Sequence, residues 1–155
     1  MNTRVLGIGF AVVAVVGLSG CTKPTPEVTV VSGATSAATA ALCWEPDSTI
    51  REAVAACVGE SLAGPAAEIP TLPVIPGNVV GVNVDPEIAE AGWSVLVDQS
   101  PLTSEVITET YYRFTFPESQ SIPETGFRLS VIAQGDSIDK NRGLWSFRLV
   151  APASE

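Results

Sequence analysis

An all-β sandwich is the fold class this sequence predicts, on three observations. Five runs in the second half of the chain place apolar residues with a period of two: Val80–Val84, Trp93–Val97, Tyr112–Phe116, Phe127–Ala133 and Trp145–Leu149. Successive side chains of a strand point to opposite faces, so each run offers one apolar face to a shared core. Turn formers separate the runs, at Pro76-Gly77-Asn78, Pro117–Pro123 and Gly135–Gly143. Finally, 155 residues of which 46% are hydrophobic suffice for one core without a structural metal.

Taken in order, Met1–Arg4 carries the terminal amine and one positive side chain, and Val5–Gly17 is uncharged and apolar. A membrane span needs roughly 20 such residues, so this shorter run fits a signal-peptide core. Leu18-Ser19-Gly20-Cys21 follows and resembles the lipobox of bacterial lipoproteins. That resemblance implies cleavage before Cys21 and diacylglycerol on its thiol, leaving residues 1–20 as a signal peptide. The bland alternative is a plain membrane helix in which Cys21 is incidental. Residues 21–27 read as the lipidated cysteine and a Pro-rich tether, which at about 3.1 Å per residue would hold the domain roughly 20 Å from a bilayer. Residues 28–155 then form the sandwich domain.

Within it, Val28–Val31 and Ala37–Trp44 are the first two expected strands, with Ser32-Gly33 turning between them. Thr49-Ile50-Arg51-Glu52 has the form of a capping box, and Ile50, Ala53, Val54, Cys57 and Val58 recur at helical spacing, so a short helix is expected there. Cys43 and Cys57 remain once Cys21 is set aside. In an exported chain two such thiols are expected to pair, closing a loop worth roughly 3 kcal/mol. A redox-active couple is the alternative, but the spacing is not Cys-x-x-Cys and no histidine is present to lower a thiol pKa. Further on, Asp85 is a candidate N-cap, Pro86 suits the first helical position and Gly92 ends the piece, giving one helical turn before Trp93. About seven short antiparallel strands with one or two short helices describe an immunoglobulin-like β-sandwich; a small barrel is the other solution.

Three segments carry a family resemblance: Leu72–Gly77, Val82–Ala89 and Trp93-Ser94-Val95. Together with Cys21, Cys43 and Cys57 they resemble a family of exported actinobacterial lipoproteins classed as a domain of unknown function. The resemblance spans nearly the whole chain after Cys21. Its motifs are structural ones (a turn, a cap, a buried tryptophan), so it implies no activity and no site.

Composition narrows the chemistry. There is no histidine, which removes the commonest general base and the usual copper and catalytic-zinc ligands. A formal net charge of -9 opposes attraction to nucleic-acid phosphates. Gly59–Gly64 superficially resembles a nucleophile elbow but has one residue too many and nothing to activate Ser61, so it reads as a loop. Asp136, Asp139 and Asn141 offer oxygens without calcium-loop spacing, and a polar hairpin loop accounts for them better. Asp85, Glu87 and Glu90 share one short turn, which suits capping and solubility rather than a pair of carboxylates facing across a cleft. Trp44, Trp93 and Trp145 are expected in the core, Trp44 beside the disulfide.

Arg113, Arg128 and Arg148 are the one candidate binding set. Each falls on the outward phase of its strand, and neighbouring strands would align them into a stripe able to grip a carboxylate or phosphate. Pairing with acids across the strands is the plainer account. No catalytic residue, metal ligand or cofactor is expected. The function expected is a non-catalytic envelope lipoprotein on the outer face of the cytoplasmic membrane, held by its lipid anchor, that binds another envelope protein. The alternative is a carrier for a small molecule or lipid, which predicts an apolar pocket of about 300 Å³ or more. A solid core with a flat edge would favour the first.

Overall fold

The structure is a computed structural model that describes residues 23–44, 57, 69–134 and 141–153. The expected helix over 50–58 lies outside these residues except for Cys57, which is helical. The chain folds as an antiparallel β-sandwich of immunoglobulin-like type. One sheet contains β1 (Glu27–Ser32), β2 (Thr35–Ala40), β5 (Val79–Val84) and β8 (Tyr111–Thr115), in the order β2-β1-β5-β8. The other contains β3 (Cys43–Trp44), β6 (Trp93–Val97), β7 (Ser100–Pro101), β9 (Phe127–Gln134) and β10 (Asn141–Val150), in the order β3-β10-β9-β6-β7. A three-residue strand, β4 (Thr71–Pro73), runs parallel to β10 over Arg148–Val150.

All five alternating runs become strands with their apolar phase turned toward the core, although Val97, Tyr112, Phe114 and Phe127 are only half-buried and Ser130, Leu144 and Ser146 on the other phase are buried as well. Val80, Val82 and Val84 face Trp93, Val95, Leu129, Val131, Trp145 and Phe147 across the sandwich. Both Trp93 and Trp145 are 0% exposed. A buried indole N–H needs an acceptor, and each has one: Trp93 Nε1 donates to the Glu109 carbonyl at 2.8 Å, Trp145 Nε1 to the Pro26 carbonyl at 3.0 Å.

The structure corrects the early strands. Ala37–Trp44 is two strands in different sheets, because the chain crosses at Ala41-Leu42 and the Leu42 amide bonds to the Leu144 carbonyl. Within β3 the alternation then separates neighbours. Cys43 sits opposite Leu144 and bonds to Cys57, with Cα atoms 6.1 Å apart, whereas Trp44 sits opposite Gly143 and packs on Trp145 at 5.7 Å between ring centroids. Trp44 therefore belongs to the tryptophan pair rather than to the disulfide.

Helix α1 (Pro86–Ala91) spans six residues after β5, with Pro86 in its first turn and Gly92 ending it at φ 81. Asp85 occupies the N-cap position but makes no side-chain cap bond; its carboxylate accepts from the Glu27 amide at 2.8 Å instead. Pro26 is buried, Glu27 already opens β1, and Lys23 pairs with Glu87 at 2.6 Å. At 76% exposure for Lys23, that pair is worth at most a few tenths of a kcal/mol.

Candidate functional site

One edge of the sandwich does not close. The first sheet is four strands wide and ends at β8; the second is five wide and ends at β7. Between these edges the chain crosses from sheet to sheet. Ile107 bridges Trp93 by two backbone bonds, Glu109 takes the indole N–H, and the Val84 amide bonds to the Thr110 carbonyl. That crossing runs beside the β8 edge at Tyr111–Arg113, with an open hollow of about 850 Å³ between them.

Beside the hollow lies a cleft of about 430 Å³. Its walls are Tyr112, Phe114 and Phe116 from the β8 side, and Val97, Leu102 and Phe127 from the second sheet. The rings are ordered against one another. Tyr112 stands edge-on to Trp93 at 6.4 Å and stacks with Phe114 at 6.5 Å, while Phe116 tilts against Phe127 at 5.8 Å. Tyr112 and Phe114 remain half-buried because no strand covers them on that side. Polar groups lie at Asp98, Ser100, Thr115 and Gln120. Large apolar walls with a few polar groups are what a binding pocket needs.

At the lip of the cleft the turn joining β6 to β7 has two central residues, Asp98 and Gln99, with φ of 45 and 69. Two-residue hairpin turns need that backbone to match strand twist, and Asn-Gly or Asp-Gly normally supplies it. Here Asp98 is held by exchange with Arg128. The Asp98 amide donates to the Arg128 carbonyl at 2.9 Å, and the Arg128 amide donates to Asp98 Oδ1 at 2.8 Å. Nothing comparable relieves Gln99. A non-glycine residue in this region costs about 1–2 kcal/mol, against which glycine's extra chain entropy costs about 0.5–1. Gln99→Gly is therefore expected to raise stability by about 0.5–1 kcal/mol, read as a higher urea midpoint at unchanged slope; an unchanged or lower midpoint would refute the strain.

The arginine set is divided. Arg128 and Arg148 are directly opposite on β9 and β10, on the outer face of the second sheet, while Arg113 lies on β8 in the first sheet. The expected three-residue stripe does not form, because β8 pairs with β5 and not with β9. Arg128 borders a second groove of about 280 Å³ whose apolar wall is Leu96, Ile132 and Leu144. Arg113 is exposed at the free edge. Cys21, Ser61, Asp136 and Asp139 lie outside the described residues; Asn141 opens β10, so the polar loop is shorter than the sequence suggests. No family model, curated protein or solved structure matches the chain in comparison with known proteins.

Proposed function

We propose that the chain is a non-catalytic lipoprotein of the cell envelope, anchored at Cys21 to the outer face of the cytoplasmic membrane, that engages another envelope protein at the open edge of its sandwich. The free edge strand β8 carries this reading, whereas the cleft beside it is the pocket expected of a carrier. The strand leaves half-buried aromatic rings at a sheet edge, where an interaction surface finds both apolar area and backbone bonds. The lipobox-like Leu18–Cys21, the resemblance to exported actinobacterial lipoproteins and the disulfide of Cys43 with Cys57 support the location. The lack of histidine supports a role without acid–base chemistry. A small apolar ligand is the second reading, favoured by a cleft volume within the usual range for ligand sites.

A photoreactive residue at Gln120, on the rim of the cleft, separates the two in the membrane-anchored protein. A protein adduct is expected; a lipid or small-molecule adduct favours the second reading, and no adduct at all removes both. For the anchor, Cys21→Ser is expected to leave the precursor uncleaved and unlipidated. Normal processing of that variant would eliminate acylation at this position.

A further inference from the structure

The unequal widths of the two sheets give the cleft a shape of its own. In an antiparallel edge strand, alternate residues bond inward to the neighbour and the rest point their backbone groups outward. The Val84 amide bonds to the Thr110 carbonyl and the Phe116 amide to the Asn78 carbonyl, so residues 110, 112, 114 and 116 serve β5. The amides and carbonyls of Arg113 and Thr115 consequently face away from the sheet, Thr115 beside the cleft and Arg113 beside the hollow that the crossing borders. A strand laid against them would turn alternate side chains inward, on the same face as Tyr112 and Phe114, toward Val97 and Leu102. One more strand would bring the first sheet to the width of the second.

Charge selects the occupant. If two copies paired β8 with β8 in full overlap, the centre of symmetry would fall at Arg113 and set one guanidinium opposite the other. Arg128 and Arg148 sustain such an opposition within the second sheet, where Arg148 has a further contact, but it disfavours a pair with nothing else to offset it. Arg113 also makes no ion pair with a described acid. An acidic residue at that position of an incoming strand satisfies it.

We infer that an extended segment of a partner protein adds antiparallel to β8, bonds to the outward backbone groups of Arg113 and Thr115, sets an Asp or Glu against Arg113 and lodges an apolar side chain in the cleft. This rests on the protein-binding reading above and specifies its mode. Short edges bearing a charge are how proteins discourage indiscriminate pairing, and here the same charge would choose the partner.

The test is selection from a random peptide display library against the intact mature protein, followed by amide hydrogen exchange with the selected peptides. Peptides alternating apolar residues around one Asp or Glu are expected, with protection gained at Arg113 and Thr115. Arg113→Pro removes the outward N–H at an edge position where proline is tolerated, and should weaken binding about tenfold or more. Arg113→Glu, which keeps every backbone group, should shift selection toward Lys or Arg at the same position. Peptides without this pattern, binding that survives Arg113→Pro, or a selection that yields none would overturn strand addition. A Gln120 protein adduct that persists in Arg113→Pro would leave the protein-binding reading standing while this mode falls; loss of every adduct in the unmodified protein would end both.

Discussion

Trp145→Ala should cost the domain about 3–5 kcal/mol, the usual loss for a buried tryptophan, and enough to leave many small domains largely unfolded. The side chain is fully buried, lies against Trp44 and ties the second sheet to the start of the first through Pro26. Trp145→Phe divides that total. It keeps most of the ring volume but leaves the buried Pro26 carbonyl without its donor, a loss of about 1–3 kcal/mol. Urea denaturation measures both, and limited proteolysis within residues 22–27 should quicken in Trp145→Phe before global stability is lost. A Trp145→Ala loss below about 1 kcal/mol would mean that this corner of the core is not close-packed.

Gly126→Ala is expected to lose about 3 kcal/mol, although it adds only one methyl group. Gly126 turns the chain into β9 at φ 70, its amide donating to the Pro123 carbonyl at 2.8 Å. A Cβ there would stand 2.5 Å from the Leu149 carbonyl oxygen and 2.9 Å from Arg148 Cγ. The left-handed backbone accounts for about 1–2 kcal/mol and the clash with a main-chain atom for a further 1–3. Gly33→Ala is the control. Its φ is 57, but a Cβ there meets nothing within 4 Å, so only the backbone part should be lost. Equal losses at the two glycines would show that the contact with β10 is not close.

Much of this architecture was legible because strand phase is a local property. Val80 to Val84 and Phe127 to Ala133 announce which face is buried whatever their neighbours are, and both indoles obey that phase. The Cys43–Cys57 bond is likewise legible from the cysteine count alone. Sheet membership is not local. The alanines and threonines of β2 carry too little apolar surface to mark where the chain leaves one sheet for the other, so the crossing at Ala41-Leu42 passed unseen. β4 and β7, with three and two residues, are shorter than any period they could display. The candidate site suffered most. Arg113 has the same outward phase as Arg128 and Arg148, yet only the strand order separates them, and the cleft exists because β8 and β7 end their sheets at unequal widths. The alternation of Tyr112, Phe114 and Phe116 did signal a strand. That their rings line an opening was invisible to a pattern that assigns inward residues to the core.

The Pro26–Trp145 clasp has a consequence for posture. It fixes Pro26 at the end of the sandwich where β1, β6 and β10 begin, whereas Val97, Thr115 and Phe127, which border the cleft, sit at the opposite end. Only four residues lie between Cys21 and Pro26, five backbone steps that reach at most about 17 Å. On the proposed anchoring, the cleft would lie at the end of the domain remote from the lipid attachment.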